Sequence, residues 1–273
     1  MTAPALDPRT GDFRWVDRPT KGARRLTPEQ ITAFNRDGMC IVRGVLTEAE
    51  RAAVAAEIDA LEAELERTVI TLEGEVAFAY ARDSMTFVKG PSLTAPATRA
   101  VLTGPVLADI AADLVGPAVR LYWDQGVYKA SGGGPEFPWH QDNGYTFTRP
   151  LAYVTVWIAL TDAGVDDGCP WVIPGVHVNG VYRHVHAEWG LDIEGADALA
   201  AAHPPVPAQV KAGDAVVFSS LTPHRTGANT TTRTRKALIA QYIAADAQVE
   251  GEDGVWRAVD DPDHNPIIAQ RTD

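Results

Sequence analysis

The stretch Ala152–Leu160, reading AYVTVWIAL, constrains the fold more than any other part of this chain. It is far shorter than the roughly 20 apolar residues of a membrane span, and its β-branched and aromatic residues suit a strand better than a helix. Read with a period of two, it places Val154, Val156 and Ile158 on one face and Tyr153, Thr155 and Trp157 on the other. Both faces are largely apolar, so such a strand must be covered on both sides. Its surroundings share the same texture. From residue 119 onward, short β-rich runs alternate with Gly, Pro, Asp and Asn, giving candidate strands at 119–130, 137–142, 152–160, 169–173, 214–219 and 236–244.

Helical signals come earlier. Thr27-Pro28-Glu29-Gln30 supplies a capping residue, a proline at the first helical position and a Gln for a capping box. Thr47-Glu48-Ala49-Glu50 repeats the device and opens a segment with one apolar stripe, Val54, Ile58, Leu61 and Leu65. A third helical stretch, 96–115, is broken at Gly104-Pro105. Helices first and many short strands after predict a mainly β domain, a sandwich or barrel backed by helices. The expected layout is a single domain: a wrapping tail over 1–25, helical support over 26–118, a β core over 119–245 and an acidic tail without clear period over 246–273. Residues 181–205 read as a lid inserted into the core.

Charge narrows the partners. Lys and Arg number 24 against 36 Asp and Glu, a net charge of −12, which disfavours nucleic-acid and membrane surfaces. Two cysteines, Cys40 and Cys169, make neither a disulfide framework nor a cysteine-rich zinc site. The opening MTAPALDPRTGDFRW lacks the pattern of a secretion signal, so the expected address is the cytoplasm. The expected partner is a small molecule, and nothing in the chain fixes an oligomeric state.

The histidines carry the chemistry. His140-Gln141-Asp142 is a His-x-Asp pair on a candidate strand, where residues two apart point the same way. Alone it is weak. His224 follows a strand 82 residues after Asp142 and offers a third ligand, completing a two-His, one-carboxylate face for a divalent metal. Arg235, eleven residues after His224, has the planar fork to hold a carboxylate of a 2-oxo acid bound at that metal, and Thr226 adds a hydroxyl donor. Arg233 is the rival to Arg235. His184-Val185-His186 is another same-face pair but lacks a third ligand, and it reads as part of the lid. Gly132-Gly133-Gly134 has neither a following helix nor a Lys-Ser/Thr pair, so a phosphate loop is excluded in favour of a strand connection.

Five stretches, FPWHQDNGY, VTVWIALTDA, DDGCPWVIPGVHVNG, KAGDAVVFSSLTPHRTGAN and RTRKAL, together resemble the phytanoyl-CoA dioxygenase family of Fe(II)/2-oxoglutarate oxygenases. The resemblance runs from about 119 to 245 and, less clearly, from about 26. It implies a double-stranded β-helix, or jelly-roll, core with His140, Asp142 and His224 as iron ligands. It further implies Arg235 and Thr226 on the far carboxylate of 2-oxoglutarate, Trp157 lining that pocket, and Lys129 and Gln125 facing it from an earlier strand. Pro174-Gly175-Val176-His177 departs from the family's usual Pro-Gly-Ser-His, losing a hydroxyl at a turn. Asp142 itself argues against halogenation, since halogenating relatives replace this carboxylate with a small residue.

The expected function is therefore hydroxylation of an unactivated C–H bond in a small metabolite, using Fe(II), 2-oxoglutarate and O2. Desaturation, cyclisation, epimerisation or endoperoxide formation at the same iron centre is an alternative, as is a non-catalytic jelly-roll binding protein. Phe137, Asn143, Tyr145, Trp171 and His177 are the candidate substrate contacts.

Overall fold

The computed structural model describes residues 4–71, 80–81, 84–132 and 134–270, without the side chains of 66–71 and 80–81. Gly133, within the glycine run noted above, lies outside the described residues. Helix α1 (Pro28–Asp37) leads into strand β1 (Met39–Val42), the long helix α2 (Glu48–Thr71), and strands β2 (Tyr80–Ala81) and β3 (Met85–Lys89). Helices α3 (Pro96–Leu102) and α4 (Pro105–Leu114) precede β4 (Ala118–Lys129), β5 (Phe137–His140), the short helical turn α5 (Asp142–Tyr145) and β6 (Thr148–Arg149). Then come β7 (Val154–Ala159), β8 (Pro170–Val172), the hairpin β9 (His184–Ala187) and β10 (Gly190–Ile193), helix α6 (Ala196–Ala202) and β11 (Val206–Pro207). The chain ends with β12 (Ala215–Ser219), β13 (His224–Thr226), β14 (Arg235–Ala244), β15 (Gln248–Glu250), β16 (Trp256–Ala258) and β17 (Ile267–Gln270).

Two antiparallel sheets form a jelly roll. The major one is eight-stranded in the order β1-β12-β7-β14-β4-β3-β2, with β17 also on β4; the minor one is four-stranded, β11-β8-β13-β5. β7 is central, and its alternation falls as the sequence predicts. Val154, Val156 and Ile158 join Ile31 and Phe34 of α1, Val54 and Ile58 of α2 and Leu107 and Ile110 of α4 in the outer core. Trp157 turns the other way, packing with Ala159, Val216, Phe218 and Ala237. The two sheets meet where the Phe218 ring, from the major sheet, lies 4.5 Å from the His224 ring of the minor sheet.

The caps behave as read. Thr27 Oγ1 accepts from the Gln30 N–H at 3.3 Å and Gln30 Oε1 accepts from the Thr27 N–H at 2.9 Å. One expectation needs correction. The segment 26–118 is not helical support alone, because β1 and β3 are strands of the major sheet: Met39–Val42 pair with β12, and Met85–Lys89 pair with β4. Within the acidic tail, which shows no clear period in sequence, β17 pairs β4 and β15 pairs β6. The amino-terminal segment does wrap, bridging Leu6 to Tyr182. Within 181–205 lie the β9–β10 hairpin and α6. No described helix is long and apolar enough to cross a membrane.

Candidate metal centre and adjoining anion pocket

His140 ends β5 and His224 opens β13, and the two are register partners across the minor sheet. Their rings lie 4.1 Å apart. Asp142 is not on a strand. β5 stops at His140, Gln141 stays extended, and Asp142 is the first residue of the α5 turn. The carboxylate therefore reaches the histidines from a turn, not by strand alternation. One ligand atom from each of the three lies within 4.8 Å of the others.

The proton arrangement follows from the hydrogen bonds. His140 Nδ1 lies 2.8 Å from the Pro138 carbonyl and His224 Nδ1 lies 3.0 Å from that of Thr222. A carbonyl only accepts, so each Nδ1 carries the proton and each Nε2 lone pair points inward. Those Nε2 atoms stand 3.9 and 3.7 Å from Asp142 Oδ1. Burial drives both imidazoles to the neutral, ligating form: His140 is pushed down to about 3, with His224 adding to the effect, and His224 to about 4. Burial raises the Asp142 carboxyl, against the pull of His140 and hydrogen bonds from Thr155 and Gln241. Thr155 Oγ1 donates to Oδ2 at 2.5 Å, which leaves Oδ1 as the ligand atom. Two neutral imidazoles and a desolvated carboxylate are a donor set for a divalent transition metal.

A second feature adjoins this one. Arg235 opens β14 directly opposite Lys129 at the end of β4. Its side chain is only 2% exposed, and the guanidinium carbon lies 5.2 Å from the Trp157 ring centroid. Nη1 donates to the Val127 carbonyl at 3.3 Å, while Nε and Nη2 have no partner among the described residues. Burial lowers this guanidinium to about 10. Lys129 is fully buried too, its Nζ donating to Gly227 O at 2.5 Å, Pro135 O at 3.1 Å and Thr226 Oγ1 at 3.2 Å. Burial, and then the neighbouring Arg235, bring its ammonium down to about 7. A buried guanidinium with two unpaired N–H groups, beside a second buried basic side chain, suits an anion, since such donors are costly to leave unmatched. Arg233 is excluded from this pair: that side chain is exposed and pairs with Asp167 at 3.2 Å.

The other expected site residues divide. Gln125 shares the face of Lys129, pairing with Ile239 of β14, and is partly exposed. Phe137 sets its ring 4.8 Å from His140, and the ring of Tyr145, half exposed, lies 5.7 Å from it. Phe87, which the sequence reading missed, extends this aromatic wall 5.9 Å beyond Phe137. The other three are engaged with the protein itself. Asn143 is buried with its amide committed to Ser220, Thr146 and Thr148. Trp171 pairs with Arg225, on the strand face opposite to His224. His177 is buried against Trp15, ring centroids 4.5 Å apart.

With this geometry in place, comparison with known proteins is decisive on one point. The family model for phytanoyl-CoA dioxygenase matches residues 34–237, most of the sequence. The chain belongs to the phytanoyl-CoA dioxygenase family. That family is one of Fe(II)/2-oxoglutarate oxygenases, and the metal-ligand triad lies inside the matched region. A phytanoyl-CoA dioxygenase domain-containing protein 1 of Danio rerio is 35% identical over 136 residues, which cover 48% of this chain and 45% of the relative. A methylphosphonate hydroxylase of Gimesia maris is 36% identical over 155 residues, covering 56% and 55%. These matches thus span about half the length of the curated relatives. Among solved structures, the 2-oxoglutarate-dependent carbocyclase SnoK of nogalamycin biosynthesis shares 27% identity with a TM-score of 0.69, covering 83% of this chain and 87% of its own. EctD from S. alaskensis, at 22% identity and TM-score 0.70 over 92% and 86%, shares the fold.

Proposed function

We propose that this chain is an Fe(II)- and 2-oxoglutarate-dependent dioxygenase that hydroxylates an unactivated C–H bond of a small organic molecule in the cytoplasm. The observation that carries the reading is Arg235, a buried guanidinium with two unpartnered N–H groups, on the same sheet face as the side chain that holds Asp142. A metal site alone fits many reactions; a metal site beside a buried receptor for a carboxylate fits a dicarboxylate cosubstrate.

In this reading His140 and His224 hold iron through Nε2 and Asp142 through Oδ1. Arg235, Lys129 and the Thr226 hydroxyl take the far carboxylate of 2-oxoglutarate, Trp157 walls its chain, and Gln125 faces the same pocket. Bound Fe(II) with 2-oxoglutarate and dioxygen supplies the oxidation, yielding hydroxylated product, succinate and carbon dioxide. The protein orients the cosubstrate, keeps the imidazoles neutral and excludes water from the anion pocket. Phe137, Tyr145 and Phe87 present aromatic surface to the substrate. The net charge of −12 disfavours a polyphosphate-bearing thioester and favours a neutral or cationic metabolite. Hydroxylation of a small molecule is also what the Gimesia maris relative is named for. The likeness to SnoK, a carbocyclase, keeps ring closure as the second reading.

The test is substrate-stimulated succinate release by the Fe(II)-loaded chain across a panel of small metabolites, with mass spectrometry of products. Gain of one oxygen atom per succinate supports hydroxylation, and loss of two hydrogens supports ring closure or desaturation. Binding of Fe(II) and 2-oxoglutarate with no succinate, coupled or uncoupled, marks a binding protein instead.

A further inference from the structure

Gln141 lies between two proposed metal ligands, and every polar group of its side chain is committed. Nε2 donates to the carbonyls of Gly180 at 2.8 Å and Leu221 at 2.6 Å, while Oε1 accepts from the Tyr182 N–H at 2.6 Å. Its backbone N–H donates to a side chain from the lid hairpin, His184 Nε2, at 3.0 Å. His184 Nδ1 lies 2.8 Å from the Tyr182 carbonyl and so carries the proton, leaving Nε2 as an acceptor. The imidazole also packs on Gly144 within the α5 turn, where an added Cβ would come within 2.6 Å of the ring. With both nitrogens engaged, His184 is no metal ligand. It is the cap on the backbone that joins His140 to Asp142.

The lid base is itself anchored. The amino-terminal segment holds it through Asp7 N–H to the Val181 carbonyl and Arg183 N–H to the Ala5 carbonyl, both at 2.8 Å, and through the Thr10 hydroxyl on Val181. The chain of contacts therefore runs from residues 5–10, through 180–184, to the His-x-Asp segment.

We infer that His184 is a positioning residue for the metal centre, fixing the His140–Asp142 segment through the Gln141 N–H. The inference rests on the iron reading above. The Gln141 N–H is satisfied by His184 Nε2, and a buried backbone donor left without an acceptor is costly. Removing the imidazole acceptor releases the segment whose two ends must stay in place for both ligands. Of the two lid histidines read as a same-face pair, only His184 turns in, and His186 is exposed.

The experiment compares His184→Gln with His184→Met. The two side chains are nearly equal in size and flexibility, but only glutamine offers an acceptor at the Nε2 position. Anaerobic titration with Co(II), following its ligand-field bands, reads the metal site directly, and His186→Ala serves as the lid control. The expected result is Co(II) binding roughly 10- to 100-fold weaker in His184→Met, with shifted bands, and largely restored in His184→Gln. His186→Ala should bind as wild type does. Equal affinity and equal spectra for the methionine and glutamine variants would overturn the inference while leaving the metal site intact. No Co(II) binding by wild type would instead sink the metal site, and the positioning role with it.

Discussion

Thr155 and Trp157 stand two residues apart on one face of β7, and each holds one half of the site. Thr155 donates to Asp142 at 2.5 Å, and the Trp157 ring faces the Arg235 guanidinium at 5.2 Å. One buried strand thus sets the separation between the metal ligands and the anion pocket. Its rigidity comes from pairing on both edges, with β12 and with β14.

The Thr155 end predicts a metal defect without loss of fold. Thr155→Val keeps the shape but removes the donor to Asp142 Oδ2, freeing the carboxylate to rotate. Fe(II) affinity is expected to fall roughly 10- to 100-fold, as for other residues that orient a ligand. Anaerobic Fe(II) titration checks it, and an unchanged affinity would show that Gln241 alone suffices to hold the carboxylate.

Lys129 gives the anion pocket a pH dependence. Its folded value, about 7, lies below the ordinary 10.5 because of burial and Arg235, against a weaker pull from Glu136. The unfolded chain therefore binds the extra proton between about 7 and 10.5, so this group makes stability rise with pH across that window. Cosubstrate binding moves the other way. As Lys129 loses its proton above about 7, affinity for the 2-oxoglutarate dianion should decline, and Lys129→Met should flatten the profile. Calorimetric titrations from pH 6.5 to 9 distinguish the two proteins; parallel profiles would remove Lys129 from the anion pocket.

Much of this was legible in the residues, for identifiable reasons. β7 showed its alternation because both of its faces are buried, and Thr155 was the one aliphatic hydroxyl in the apolar run, a signal the strand reading passed over. Spacing already favoured Arg235 over Arg233, and burial separates them: Arg235 is enclosed while Arg233 is exposed and pairs with Asp167. β1 and β3 were hidden because each is short and lies in a stretch dominated by helical periodicity. β17 was hidden because it gains its pairing from β4, more than 130 residues earlier in the sequence. The settings of Trp171, opposite Arg225, and of His177, against Trp15, were not legible, because proximity in sequence to family motifs does not say which face a side chain takes.

His177 has a different consequence, on acid stability. Burial lowers its imidazole to about 4, opposed by the backbone of Asn35 and the carboxylates of Asp37 and Asp17. Below about 6.5 the unfolded chain takes up a proton that the folded one refuses until about 4, so stability is lost as pH falls through that window. His177→Leu removes one such proton. The slope of unfolding free energy between pH 6 and 4.5 should become shallower by up to about 1.4 kcal/mol per pH unit. Denaturant melts across that range test it, and a slope equal to wild type would mean that the ring protonates freely in the fold.

Arg235 offers the sharpest test, because stability and binding should move in opposite directions. In the ligand-free protein its guanidinium is buried beside the Lys129 ammonium with Nε and Nη2 unpaired. That arrangement costs stability, and replacing it by an apolar side chain of similar length relieves the cost. Arg235→Met should therefore leave the Tm of the ligand-free chain unchanged or raise it. The same change removes a charge-assisted, two-pronged contact contributing roughly 2–4 kcal/mol, so 2-oxoglutarate should bind about 30- to 1000-fold more weakly. Arg235→Lys keeps the charge without the planar fork and should fall between the two. Fe(II) affinity should not change, since Arg235 offers nothing to the metal. Anaerobic titration of 2-oxoglutarate, together with thermal melts with and without it, reads all of these quantities. A Tm that drops sharply in Arg235→Met while cosubstrate affinity holds would make Arg235 a structural cation, and the carboxylate would have to bind elsewhere.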